Sequence, residues 1–247
     1  MENPRYLQCL AADEARLREV APQDLDAPVP SCPEWTVRDL VEHVALVYLH
    51  KVECMRSGAP AEWPPPVDRG EPMALLDRAY AALRDEFDQR APETASQTWF
   101  GPDQTVGFWI RRMAQETVIH RVDAELAAGQ PLAPIADDLA VDGIDEVLER
   151  FLSFGSVNWR EEFGAALAEA DADVLVAAGG REWLLRMRPA GVQVGPPDGA
   201  HPAGRLTGDP QSLLLWLWRR TEAAAVTYDG DPRALTRLRE LLGVATQ

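Results

Sequence analysis

The spacing of apolar residues changes period once along the chain, near residue 157, and this limits the fold more than any other feature. Up to that point the spacing is helical. Residues 5–20 carry Tyr6, Leu10, Leu17 and Val20 among charged side chains. Val37, Leu40, Val41, Val44 and Tyr48 repeat the pattern, as do Leu75, Leu76, Ala79, Leu83 and Phe87 over about 73–90. A fourth segment covers about 105–128 and stops at Gly129, and a fifth covers about 137–155. Apolar residues three and four apart share a helix face, which is stable only when buried against other helices. Beyond 157, Trp183, Leu185 and Met187 alternate with Leu184, Arg186 and Arg188, the period of a strand. Asp173–Ala178 and Gly191–Gly195 flank that segment as hairpin partners, and Ala225–Tyr228 reads as a last short strand. Leu213–Trp218 is a core helix, and Leu235, Leu238, Leu241 and Leu242 mark a closing one. The expected class is α+β: an up-and-down helical bundle over residues 1–157, then a small α+β domain over 165–247, joined through Asn158–Gly164.

Local signals sharpen the second helix. Thr36 is a good N-cap and Asp39 follows three residues on, the spacing of a capping box. Trp35, just before the cap, is placed to staple onto Leu40. A proline-rich stretch, Pro60 to Pro72, separates this helix from the third.

Composition removes several functions. Lys and Arg number 24 against 40 Asp and Glu, a net charge of −16. Nucleic-acid affinity and polybasic membrane attachment both need clustered cations, so neither is expected. No apolar run approaches the roughly 20 residues that span a bilayer. The segment Met1–Tyr6 lacks the layout of a secretory signal, so a cytoplasmic protein is expected. Cys9, Cys32 and Cys54 are odd in number and form no CxxC, which points to buried, reduced thiols.

Only four histidines, His43, His50, His120 and His201, are available for imidazole chemistry. Glu116 and His120 are four apart at the edge of the stripe formed by Val106, Trp109, Ile110, Met113, Thr117 and Ala124. They therefore lie one turn apart on one face. Such a pair is either a Glu–His hydrogen bond packed between helices or two ligands of a metal. His43 borders the apolar face of the second helix and is the candidate for a third ligand. His50 is two turns on, about 10 Å away, too far to share an ion with His43. His201 falls in an exposed Gly/Pro-rich loop. Two imidazoles and one carboxylate suit zinc with an open position, and the same set suits iron or nickel.

The segments Cys32-Pro33-Glu34-Trp35-Thr36-Val37-Arg38-Asp39-Leu40-Val41-Glu42-His43 and Glu116-Thr117-Val118-Ile119-His120-Arg121-Val122-Asp123-Ala124 resemble the two signatures of the DinB-like, mycothiol-dependent maleylpyruvate isomerase family. Leu215-Trp216-Leu217-Trp218-Arg219-Arg220 and Gly230-Asp231-Pro232 resemble its closing pattern. The resemblance implies a DinB-like four-helix bundle that binds zinc through His43, Glu116 and His120, with water in the fourth position. It also implies mycothiol, a low-molecular-weight thiol, as cosubstrate, and a C-terminal domain similar to sterol carrier folds. An arginine of that domain acts near the family's active site. Here it matches Arg220, with Arg219 as the adjacent alternative, where the family pattern carries Gly. Asp123, one turn after His120, is either its partner or a solvated carboxylate.

Two functions follow. One is a metal- and thiol-dependent enzyme acting on a small carboxylate or electrophile, either as a cis–trans isomerase or as a thiol S-transferase. The other is a non-catalytic protein that binds a metal or a small ligand.

Overall fold

The structure, a computed structural model, describes residues 1–246. The chain packs as two units, Met1–Ala133 and Pro134–Gln247.

Unit 1 is built on four helices: α1 (Asn3–Val20), α2 (Val37–Ser57), α3 (Pro72–Gln89) and α4 (Val106–Ala127). Their ends are set by side chains that satisfy the free N–H groups of the first turn. At α2 the capping box is present. Asp39 N donates to Thr36 Oγ1, and Asp39 Oδ2 accepts from Thr36 N at 2.8 Å. Glu71 caps α3 by accepting from the N–H groups of Met73 and Ala74. Thr105 caps α4 by accepting from Phe108 N. The chain leaves α4 through Gly129 at φ +61°, a conformation that glycine adopts without steric cost. Trp35 lies with its ring 4.8 Å from that of His43.

Helix α1 packs on α4, and α2 packs on both α3 and α4. Leu10, Leu17, Leu40, Leu76 and Leu83 are fully covered, each stabilising the unit by roughly 1.5–3 kcal/mol. The expected apolar stripe of α4 is buried, but so are Arg112, Arg121, Asp123 and Glu125. Burial of these charges is tolerated because they are paired. Arg121 donates to Asp13 of α1 at 3.0 Å and to Glu125 at 2.8 Å, and Arg16 of α1 reaches Glu125 at 2.8 Å.

Unit 2 begins with α5 (Asp137–Asp145), whose helix continues through a π-wound stretch, Glu146–Phe154, into α6 (Gly155–Asn158). The fifth helix was expected to close the bundle at 157. Instead α5 packs on α8 (Pro210–Leu217), and the π-wound stretch packs on the sheet and on α9 (Pro232–Ala245), so the packing boundary falls at Ala133. The expected connector around 158–164 is largely helical, as α7 (Arg160–Ala168). The sheet has the order β3-β2-β1-β4-β5, with β1 (Ala172–Ala178), β2 (Arg181–Arg188), β3 (Gly191–Gly195), β4 (Gly204–Thr207) and β5 (Thr227–Gly230). Gly179 and Gly180, at φ +56° and +77°, form the two-residue turn from β1 to β2, a geometry that requires positive φ at both positions. Val176 faces Trp183 and Val174 faces Leu185 across that hairpin. Strand β4 runs parallel to β1, and β5 pairs antiparallel with β4 at the edge. The Leu213–Leu217 run of α8 is buried throughout. The last strand thus starts two residues later than the sequence suggests, and β4 is an additional strand.

Cys9 and Cys54 are buried free thiols, and Cys32 is half-buried. Among the described residues no helix is long and apolar enough to cross a membrane.

Candidate metal centre

His43 of α2 and Glu116 and His120 of α4 converge in unit 1. One donor atom from each lies within 4.8 Å of the others. Glu116 Oε1 is 3.3 Å from His43 Nε2 and 3.2 Å from His120 Nε2. The i,i+4 spacing aligns Glu116 and His120, and the packing of α2 on α4 brings His43 to them. His50 and His201 are not part of the cluster. His201 is exposed in its loop, and His50 turns Nε2 to the carbonyl of Ala61 at 3.2 Å.

A surrounding layer fixes each member. Asp123 Oδ2 is 3.0 Å from His120 Nδ1, and Ser31 Oγ donates to Asp123 Oδ1 at 2.5 Å. This leaves Nε2 of His120 facing Glu116, the arrangement in which a carboxylate fixes the orientation of a ligating imidazole. Arg112, one turn before Glu116, donates to its Oε2. Trp35 and Trp63 both lie against His43, with centroids 4.8 and 5.9 Å away.

The electrostatics follow from this pairing. Burial by itself raises the Glu116 carboxyl, but the charges of Arg112 and His120 outweigh it and hold the group well below the usual carboxylate range. Burial by itself lowers His120. The charge of Glu116 and the hydrogen bond to Asp123 reverse that and push the imidazole up to about 9 in the metal-free protein. Glu116 is thus held ionised between the Arg112 guanidinium and the His120 imidazole. Two imidazole nitrogens and one ionised carboxylate oxygen are a donor set that fits a divalent ion such as zinc. The sequence picked out this triad. It did not pick out Ser31, Arg112 or Trp63, although Arg112 stands at the legible i,i+4 distance from Glu116.

Arg220 and Arg219 belong to unit 2, at the end of α8. Arg220 is half-buried, donates from Nη1 to Trp218 O at 2.7 Å and lies 5.8 Å over the Trp218 ring. Arg219 is exposed at φ +63°.

Comparison with known proteins matches residues 7–125 to the family model of the mycothiol maleylpyruvate isomerase N-terminal domain. The crystal structure of the mycothiol-dependent maleylpyruvate isomerase superposes with a TM-score of 0.61. It covers 94% of this chain and 95% of that chain at 14% identity, a likeness of fold. The sterol carrier protein domain 2 of Helicoverpa armigera aligns over 46% of this chain and 95% of its own, at 11% identity and a TM-score of 0.35. A ubiquinone synthesis protein, UbiJ-SCP2, aligns over 46% of this chain and 94% of its own, at 14% identity and a TM-score of 0.31. No curated protein sequence matches the chain.

Proposed function

Residues 7–125 belong to the mycothiol maleylpyruvate isomerase N-terminal domain family, and from that premise we propose that the chain is a metal- and thiol-dependent cis–trans isomerase. Its cosubstrate is mycothiol or a similar low-molecular-weight thiol. Its substrate is a small cis-enedioate of the maleylpyruvate class. The observation that carries this reading is the convergence of His43, Glu116 and His120 within 4.8 Å. The fold match that covers 94% of this chain supports it.

His43, Glu116 and His120 would hold one divalent ion, zinc before iron or nickel. When bound, such an ion supplies the positive charge that keeps a thiol deprotonated. Asp123 holds the orientation of His120, and Arg112 holds that of Glu116. The rings of Trp35 and Trp63 flank His43. Arg220, the sequence counterpart of the family's arginine, carries a guanidinium whose planar fork would suit a substrate carboxylate.

The reaction needs no net proton. The thiolate sulfur adds to one carbon of the cis double bond, and the electron pair moves into the adjacent carbonyl. The bond that is now single rotates. The pair then returns, the carbon–sulfur bond breaks, and the trans isomer leaves with the thiolate regenerated. An S-transferase would share the addition and stop there, so the fate of the adduct separates the two reactions.

The test is an assay of metal-reconstituted protein with mycothiol and maleylpyruvate, following both isomers and the thioether. Trans product that requires both metal and thiol is the expected outcome. A stable thioether would assign an S-transferase. A metal-loaded protein that leaves the cis substrate and the thiol untouched would make the chain a non-catalytic binding protein.

A further inference from the structure

Lys51 stands two turns along α2 from His43 and is partly covered. Its Nζ lies 4.9 Å over the centroid of Trp109 on α4 and 3.0 Å from Nδ1 of His50. Among the described residues no Asp or Glu makes an ion pair with it. The imidazole is not a counter-ion. Nδ1 accepts from the ammonium, so Nε2 carries the ring hydrogen and donates it to Ala61 O at 3.2 Å. Burial and the charge of Lys51 together disfavour a proton on Nδ1. Burial outweighs the attraction of the Glu116 carboxylate and brings the Lys51 ammonium down to about 8, and with a neutral acceptor on one side and an indole face on the other it makes no ion pair among the described residues.

Lys51 is also placed in line with the metal centre. His43 meets Glu116 and Lys51 meets Trp109, so eight residues along α2 match seven along α4. By helix rise this separates Lys51 from His43 by about 12 Å along the axis. Trp63 spans the interval, its ring 5.9 Å from His43 and 5.6 Å from His50, with 51% of its surface exposed. Lys51 and Arg112 balance the charges of Glu116 and Asp123, so a divalent ion leaves this neighbourhood positive in a chain of net charge −16. Such a site attracts an extended anion, with one end at the metal and the other at Lys51.

We propose that Lys51 is a substrate-binding cation, holding the carboxylate remote from the carbon that the thiol attacks. It thereby selects extended dicarboxylates over their monoanionic analogues. This rests on the isomerase reading for the identity of the reacting end, while binding can be measured without turnover.

The probes are cis,cis-muconate and its monomethyl ester, titrated by calorimetry into zinc-loaded protein. Wild type is expected to bind the dianion at least tenfold more tightly than the ester. Lys51→Met should weaken muconate to the level of the ester, leave ester binding within twofold, and keep full zinc content. Lys51→Arg should retain most of the discrimination. Should Lys51→Met fail to fold, Lys51→Gln makes the same comparison with a polar side chain of similar reach. A wild type that does not prefer the dianion, or a Lys51→Met or Lys51→Gln variant that still prefers it, overturns the proposal. Discrimination that depends on Lys51 in a protein unable to isomerise maleylpyruvate would overturn the isomerase reading and leave this inference standing.

Discussion

Asp123 Oδ2 lies 3.0 Å from Nδ1 of His120, and Ser31 holds the other oxygen of the same carboxylate. The contact fixes which imidazole nitrogen faces Glu116, and it raises the basicity of that nitrogen. Asp123→Asn keeps the size of the side chain and removes its charge. Zinc affinity, measured by competition with a chromophoric chelator, should fall about tenfold to a hundredfold. The variant should remain folded by circular dichroism. Unchanged affinity would make Asp123 a carboxylate that merely packs beside the site.

His120→Ala deletes one of three protein ligands and should reduce bound zinc to background after dialysis. His201→Ala removes an exposed imidazole that touches none of the three. It should keep one ion per chain. Elemental analysis of both variants beside wild type decides the ligand set.

Glu14 tests the interior of the bundle rather than its chemistry. Its Oε1 is buried without a hydrogen bond, and the nearest cation, Arg18 Nε, is 3.6 Å away. Burial therefore pushes the carboxyl up to about 7 from 4.5. A folded-state pKa above the unfolded one means that the native state takes up a proton between those values. The stability linked to this group is full below pH 4.5 and is lost as the pH rises through 7. Glu14→Gln carries no charge at any pH. Denaturant unfolding should show little change near pH 4.5 and a gain on the order of 1–3 kcal/mol at pH 8. Equal effects at both pH values would contradict the shifted carboxyl.

The sequence disclosed what rests on local spacing. The capping box at Thr36 and Asp39, the Glu116–His120 pair and the alternation through β2 are set by neighbours within four residues, so they could be read directly. What escaped depends on partners far along the chain. Arg121 and Glu125 are buried only because α1 brings Asp13 and Arg16 to them, and an apolar periodicity cannot register a charge buried by pairing. Strand β4 has four residues, one of them Gly and one Arg, and exists because β1 offers a parallel edge. The packing of α5 on α8 joins segments about 70 residues apart, which moved the boundary between units to Ala133. Ser31 carries no signal of its own and is recognised only through Asp123.

The end of α8 separates the two arginines that the sequence left as alternatives. Arg220 N donates to Leu215 O at 2.8 Å and Arg219 N to Trp216 O at 3.0 Å, the paired bonds of a Schellman motif with Arg219 as its left-handed residue. Glycine is favoured there, because a side chain at positive φ costs roughly 1–2 kcal/mol. Arg219→Gly should therefore stabilise the protein by about 1 kcal/mol, seen as a higher denaturation midpoint. A lower midpoint would mean that the Arg219 side chain, whose Nη1 reaches Gly243 O at 3.5 Å, contributes more than the strain removes.

In the sequence resemblance the family's glycine falls on Arg219, the residue at positive φ, and we propose Arg220 as the counterpart of the family's arginine. If Arg220 grips a substrate carboxylate, Arg220→Met keeps a stem of similar length and removes the fork. Zinc content should not change, because none of the three ligands is touched. Turnover of maleylpyruvate should fall by about two orders of magnitude, a lost charged contact of roughly 3 kcal/mol. Arg220→Lys should recover little of it, since a point charge does not reproduce a bidentate contact. Steady-state kinetics at saturating thiol check this. Equal kcat/KM in wild type and Arg220→Met would remove Arg220 from the reaction and leave Lys51 as the cation that recognises the substrate.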